Sequence, residues 1–380
     1  MQLDFSVFYG YKPAVKAHAP GRVEFIGNHT DYNGGMVMGV ALDRGVLVEA
    51  APRDDDRIRL STTHGESAVE LRVGSIRKMA GAKAWTNYIL GVLSAMRGMG
   101  MKFDKGLDLH VHSDLPSGAG LSSSAALELA AACAASKLYD FPMDKASLAR
   151  VGRKAENEFV GMPCGILDQG VSAFGEKDAI VRIDCSNETF STIPMPKGLR
   201  IFVFNTNEKH SLVESLYATR HKECMDAYAL LKKAGSKAPN LASVSPDEIR
   251  RANLPAALEM RALHVSEEHR RVIAMSAALA GGNLSEIGRL LCASHESSRI
   301  LFENSTDRLD VIVSILSHAN GVIGARLTGG GFGGAAMALV MDRFGADEVK
   351  SVCDEYVQQF PGNAPSVFAA SAGQGAGLVL

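Results

Sequence analysis

The sequence contains no run of about 18 apolar residues, so no bilayer-spanning helix is expected anywhere in its 380 positions. Nor does Met1 to Gly10, which carries Asp4, show a basic stretch followed by an apolar one, and a cytoplasmic location is the expectation. Cysteine is sparse and scattered: six residues, at 133, 164, 185, 224, 292 and 353, form no C-x-x-C pair. That spacing excludes the common zinc and disulfide-exchange motifs and suits reduced core thiols. An excess of either charge is missing too. With 40 Lys and Arg against 42 Asp and Glu the formal charge is -2, which offers no general field for nucleic acid or anionic lipid. Any anionic ligand must therefore be gripped locally. There is no low-complexity tract, no internal repeat and no heptad seam to mark a partner surface, so a monomer is expected.

What is present is an ordinary globular composition, 46% hydrophobic and 22% charged, on a chain longer than one core usually serves. Two domains with a cleft between them follow, and the Pro194 and Pro196 segment divides the chain into residues 1–195 and 196–380. In the first part, Val15 to His18 reads as a short strand, and Gly45 to Ala51 pairs with Arg57 to Ser61 across the Asp54-Asp55-Asp56 turn. The alternating Leu107, Leu109 and Val111 lead through a glycine turn into an alanine-rich helix ending near Leu138. Asp144 caps a further helix that places Glu156 beside an apolar stripe. Beyond Asn207 the pattern is mostly helical to Ala319. Strands at Gly321 to Leu327 and Ala335 to Met341, a helix near Asp347 to Phe360 and a strand near Val367 complete an α+β second domain.

Two glycine loops and several polar segments carry the chemistry. Pro116-Ser117-Gly118-Ala119-Gly120-Leu121-Ser122-Ser123-Ser124 joins close backbone approach to free N–H groups at a helix start, the makings of a phosphate cradle. By itself it reads more readily as a turn with a serine cap. It is not a Walker A loop, since no Gly-Lys-Ser or Gly-Lys-Thr follows. Thr328-Gly329-Gly330-Gly331-Phe332-Gly333-Gly334 satisfies G-x-G-x-x-G, but a strand rather than a helix follows it, so a tight hairpin is expected. Gly21 to Gly35 packs Arg22, Asn28, His29 and Asp31 between glycines, a density of short polar groups on a constrained loop that suits hydroxyl recognition. Asp168, set between apolar residues, could position a hydroxyl or accept its proton, although an isolated Asp shortly after a glycine is more often a cap or turn residue. Lys209-His210-Ser211 and Tyr217 offer further polar contacts around a helix start.

Together and in this order, these segments resemble the galactokinases of the GHMP kinase superfamily. The resemblance runs over nearly the whole chain. It implies an N-terminal domain like ribosomal protein S5 domain 2 and a ferredoxin-like C-terminal domain, with ATP and a sugar in the cleft between them. It implies phosphorylation of the sugar's anomeric hydroxyl, with Asp168 and Arg22 catalytic and Asn28, His29, Asp31, Gly165 and Tyr217 contacting the sugar. By the same likeness Gly118, Gly120, Ser122, Ser123 and Ser124 line the ATP phosphates, Trp85 sits near the adenine, and Ser124 with Glu156 holds Mg2+. These roles suit phosphoryl transfer, which asks chiefly for positioning and charge neutralisation.

One position departs from the pattern: Asn28 stands where these kinases typically carry a glutamate associated with the far hydroxyls of the sugar. That keeps open a kinase for N-acetylgalactosamine or L-arabinose. A non-catalytic sugar sensor is a further alternative, opposed by the presence of Ser124, Glu156 and Asp168. An NAD-dependent enzyme is opposed by the strand that follows the second glycine loop.

Overall fold

The computed structural model describes residues 4–63, 68–116, 118–208 and 213–379, with the side chains of 213 and 214 excepted. A short helix, α1 (Phe5–Tyr9), precedes the strands β1 (Val15–Ile26), β2 (Met36–Pro52), β3 (Arg57–Thr62) and β4 (Val69–Arg72). Helix α2 (Thr86–Gly98), strand β5 (Leu107–Ser113) and helices α3 (Ser123–Leu138), α4 (Lys145–Lys154) and α5 (Leu167–Phe174) follow. Strands β6 (Ala179–Asp184), β7 (Thr189–Pro194) and β8 (Leu199–Asn205) lead into a helical stretch. It comprises α6 (Val213–Lys233), α7 (Pro246–Arg251), α8 (Ala256–Ala280), α9 (Leu284–Ser297) and α10 (Asp307–His318). The chain closes with β9 (Val322–Thr328), β10 (Ala335–Met341), α11 (Ala346–Gln359), β11 (Ser366–Ala370) and β12 (Gly377–Leu378).

The first sheet runs β12-β1-β2-β5-β3-β4, with β6 and β7 continuing from the other end of the long β2. The expected hairpin between Gly45–Ala51 and Arg57–Ser61 does not form. Instead β5 lies between them, antiparallel to β2 and parallel to β3. The reason is visible in Asp108 on β5, a carboxylate with no exposure that receives Arg53 from beyond β2 and Arg59 from β3. A hairpin would leave those guanidiniums facing each other. Val15 to His18 likewise extends to Ile26, so the segment from Gly21 to Ile26 is strand rather than loop.

The second sheet, β11-β8-β10-β9, is antiparallel and covered on both faces. Strand parity decides which side chain goes where. Ile201 and Val203 of β8, with Ala335, Met337 and Leu339 of β10, join the main core that also holds the first sheet and its helices. The alternate Phe202 and Phe204, with Ala336, Ala338 and Val340, pack under α10 and α11. Helix α9 presses on β9 at paired glycines: a Cβ at Gly288 would lie 2.1 Å from the Ile323 carbonyl oxygen, and one at Gly324 2.9 Å from the Gly288 Cα. The Thr328–Gly334 segment is the expected hairpin turn between β9 and β10. At the end of the chain β12 returns to pair with Ala17 and His18 of β1.

Candidate active site

Residues two apart on a strand point to the same face, and β1 thereby carries Arg22 and Glu24 into one cavity between the two sheets. The strand ends in a tight turn. Thr30 donates from Oγ1 to the Gly27 and Met36 carbonyls at 2.8 and 2.7 Å, and Asn33 Nδ2 donates to the His29 carbonyl at 2.8 Å. This turn swings His29 and Asp31 into the same cavity. The opposite wall is the start of α5, whose first turn holds Asp168.

Arg22 and Asp168 form the centre. Nε and Nη2 of Arg22 lie 2.8 and 2.7 Å from Asp168 Oδ1, while Ser122 donates its hydroxyl to Oδ2 at 2.5 Å. Nη1 of Arg22 donates to the Gly120 carbonyl at 2.7 Å and its backbone N–H to the Leu121 carbonyl at 3.0 Å. One arginine thus ties the glycine loop to the carboxylate. Burial works against its charge, but Asp168 and then Glu24 hold its pKa above the ordinary value.

The loop itself is left-handed at Gly118, Gly120 and Ser122, with φ of 71°, 65° and 54°. Glycine makes that conformation accessible at two of the three points. The 16-residue α3 then starts at Ser123, so its unpaired N–H groups end at this loop. One residue in, Ser124 hydrogen-bonds the Glu156 carboxylate, whose pKa rises to about 7 through burial and then the charge of Asp168. Gln169 Nε2 donates to both Glu156 and Glu128, at 2.6 and 3.0 Å. Glu128 has no exposure, and burial with the neighbouring Glu156 pushes its pKa well up. Its Oε1 is buried without a hydrogen-bond partner. Glu128 and Gln169 had no place in the expected site, because alanine-rich periodicity marks α3 only as a core helix.

The cavity measures about 210 Å³. It is smaller than a drug-sized pocket of roughly 300–1,000 Å³ and suits one small polar molecule. Asp31 lines it, its pKa raised to about 6 by burial and then by Asp168. Gly165 stands against Asp31 so closely that a Cβ would lie 2.0 Å from Oδ2. Tyr217 of α6 closes one side, and the wall includes Cys164, Met162 and Gly330. His29 stacks on Phe302 at 4.3 Å, and burial lowers its pKa to about 3. Its Nε2 donates to the Gly330 carbonyl at 3.0 Å, which makes Nδ1 the acceptor for the Tyr32 hydroxyl at 2.8 Å. Its ring edge is therefore a fixed wall.

Asn28, expected among the sugar contacts, does not line the cavity. It has no exposure; Nδ2 donates to Glu24 Oε1 and the Gly329 carbonyl at 3.0 and 2.8 Å, and Oδ1 accepts from Asn304 and Ser298 at 2.8 and 3.2 Å. The cause is β1: with Arg22 and Glu24 facing the cavity, the turn after Ile26 buries position 28 beneath it. Trp85 lies half-buried at the start of α2, and Ser123 is exposed at the first position of α3. Lys209, His210 and Ser211 fall outside the described residues. Glu24 was missed, although its parity with Arg22 would have exposed it had the segment been read as strand.

Among the described residues no group of three or more His, Cys, Asp or Glu side chains is arranged to hold a metal ion, and no helix is long and apolar enough to cross a membrane. Three family profiles match the chain: the galactokinase galactose-binding signature over residues 4–52, the GHMP kinases N terminal domain over 87–176 and the GHMP kinases C terminal domain over 275–359. A galactokinase of Actinobacillus pleuropneumoniae serotype 5b is 38% identical over 361 residues, 93% of this chain and 92% of that protein. The crystal structure of Lactococcus lactis galactokinase complexed with galactose superposes with a TM-score of 0.94 at 31% identity, covering 98% and 97% of the two chains. A Methanococcus jannaschii mevalonate kinase, at 20% identity and a TM-score of 0.66 over 96% and 100% of the chains, shares the fold. The turn that carries His29 and Asp31, the loop clamped by Arg22 and the hairpin at Gly330 fall within an architecture common to these proteins, and the chain belongs to the galactokinase family of GHMP kinases.

Proposed function

We propose that the protein transfers the terminal phosphoryl group of ATP to the anomeric hydroxyl of galactose, giving galactose 1-phosphate and ADP. The observation that carries this reading is the bridge made by Asp168, one oxygen of which is held by Arg22 while the other touches the glycine loop through Ser122. A carboxylate there borders both the phosphate cradle and the cavity. Asp31, Gly165 and Tyr217, with the His29 wall, would surround the sugar. Gly118, Gly120 and Ser122 to Ser124 would wrap the phosphates with backbone N–H groups, and Trp85 would flank the adenine.

A carboxylate accepts about four hydrogen bonds, so Asp168 keeps acceptor capacity on Oδ2 for the attacking hydroxyl. In a loose phosphoryl-transfer transition state the nucleophile is only partly bonded. A carboxylate held by a guanidinium therefore suffices to aim the hydroxyl and take its proton late. Arg22 fixes that carboxylate and adds positive charge where the transferring group passes.

Ser124 and Glu156 fit a magnesium ion. Mg2+ commonly takes one or two protein carboxylates plus phosphate oxygens and water rather than a full protein cage. Burial and the charge of Asp168 raise the cost of ionising Glu156, and burial with Glu156 raises that of Glu128, a cost that a divalent cation would relieve. When bound, the ion supplies charge neutralisation on the nucleotide phosphates. All of these groups come from one chain, so a monomer is sufficient, and the cytoplasm supplies both ATP and reduced thiols.

Initial rates of ADP release across galactose, N-acetylgalactosamine and L-arabinose test the assignment. Galactose should give the highest kcat/KM. A clear preference for either of the others would replace the substrate, and no sugar-dependent ADP with any of them would favour a sensor.

A further inference from the structure

Glu24 lines the cavity with a side chain only 4% exposed. Its Oε1 accepts from Arg326 Nη2 at 2.9 Å and from Asn28 Nδ2 at 3.0 Å. Oε2 takes no hydrogen bond from any described residue. Its backbone is equally committed: the Glu24 N–H donates to Thr328 Oγ1 at 3.0 Å, and Arg326 Nη1 donates to its carbonyl at 3.3 Å. Arg326 has no exposure. Burial pushes the Glu24 carboxyl up, against the pull of Arg326 and Arg22. A buried carboxylate held in one rotamer, with one oxygen uncommitted on the wall of a polar cavity, is built to accept a hydroxyl.

We propose that Glu24 accepts a hydrogen bond through Oε2 from a non-reacting hydroxyl of the sugar and is a specificity-determining residue, with Asn28 as the group that aims it. This rests on the reading that the cavity holds the sugar. Glu24 lies two residues from Arg22 on one strand, roughly 7 Å further along the same face. Arg22 marks the reacting end through Asp168, so Glu24 serves the hydroxyls across the ring. The chain lacks a carboxylate at position 28, and Glu24 supplies one from the strand instead.

Glu24→Gln tests this sharply, because two donors face Oε1 and hold the amide oxygen there. The amide NH2 then occupies the place of Oε2, and an acceptor becomes a donor at one point in the cavity. KM for galactose should rise about tenfold to a hundredfold, the range for losing a hydrogen bond to a charged group, with the smaller effect on kcat. Across 2-, 3-, 4- and 6-deoxygalactose, one sugar lacking the contacted hydroxyl should show KM within about twofold of wild type in the variant, as a site built for a hydroxyl discriminates through that group alone. An equal rise for every sugar, or an unchanged KM for galactose, would overturn the proposal. If Glu24→Gln does not fold, the paired exchange Glu24→Asn with Asn28→Glu keeps one carboxylate and one amide in contact. It should change which deoxy sugar is discriminated, and an unchanged profile counts against Glu24. Wild type that fails to phosphorylate galactose refutes the parent reading, whereas active wild type with a flat variant profile refutes Glu24 alone.

Discussion

Arg22 places two nitrogens, Nε and Nη2, on a single oxygen of Asp168, at 2.8 and 2.7 Å, and leaves the second oxygen to Ser122 and the cavity. This division of labour makes Asp168 a fixed acceptor between the glycine loop and the cavity. Its consequences for turnover differ from its consequences for binding.

Asp168→Asn keeps the size of the side chain but removes the charge that compensates Arg22, which is only 5% exposed. kcat should fall by about 10²–10⁴-fold, the range for a positioned acid or base, while the sugar dissociation constant by calorimetry stays within about tenfold. The thermal midpoint should also drop, since a buried arginine loses its partner. Near-normal turnover would remove Asp168 from the chemistry.

Gly165→Ala forces a methyl group to within 2.0 Å of Asp31 Oδ2. Overpacking of this kind costs about 1–3 kcal/mol, and the displaced carboxylate should raise the sugar KM as well. Adding Asp31→Ala should recover much of the thermal midpoint but not the KM. Additive losses in the double variant would show that the two residues do not press on each other.

The pKa of Asp31, raised to about 6 by burial and then by Asp168, sets a pH dependence of stability. An unfolded aspartate releases its proton near 3.9, so between about pH 4 and pH 6 the folded state holds a proton that the unfolded chain has lost. Stability from this group is therefore present at low pH and disappears as pH rises through that window. Asp31→Asn has no such titration. Its thermal midpoint relative to wild type should climb from pH 4 to pH 6 and then level; a constant difference would contradict the shift.

Glu156→Gln and Ser124→Ala should each raise the magnesium concentration needed for half-maximal turnover, by about 10–100-fold for the carboxylate by analogy with the loss of metal-site partners. Chelation with EDTA should abolish turnover and spare sugar binding. A magnesium dependence identical to wild type in Glu156→Gln would move the ion elsewhere.

Much of the architecture was legible where periodicity and punctuation agree. The β9–β10 hairpin could be read because a strand, not a helix, follows its glycines, and the Asp144 cap is present, its side chain accepting from the Ser147 N–H at 2.7 Å. The error lay where long-range pairing decides. Nothing local in Gly45–Ser61 reveals that β5, about fifty residues on, will part the two strands, because the cause is Asp108 and its two arginines. Reading Gly21–Ile26 as loop had the larger cost for the site. It hid the alternation that turns Arg22 and Glu24 inward and left Asn28 as a sugar contact, when the amide lies beneath the turn. Glu128 was invisible for a different reason, since a carboxylate within an alanine-rich helix signals its burial only once Gln169 and Glu156 are in place.

The most direct test of the central claim is the position of the phosphate in the product. Galactose, ATP and Mg2+ incubated with the protein and followed by 31P–1H correlation NMR should yield a phosphorus signal coupled to the anomeric proton, together with one ADP per sugar phosphate. Phosphate coupled to the C6 protons, or ADP released without a sugar phosphate, would contradict an arrangement in which Asp168 joins the glycine loop to the reacting end of the sugar.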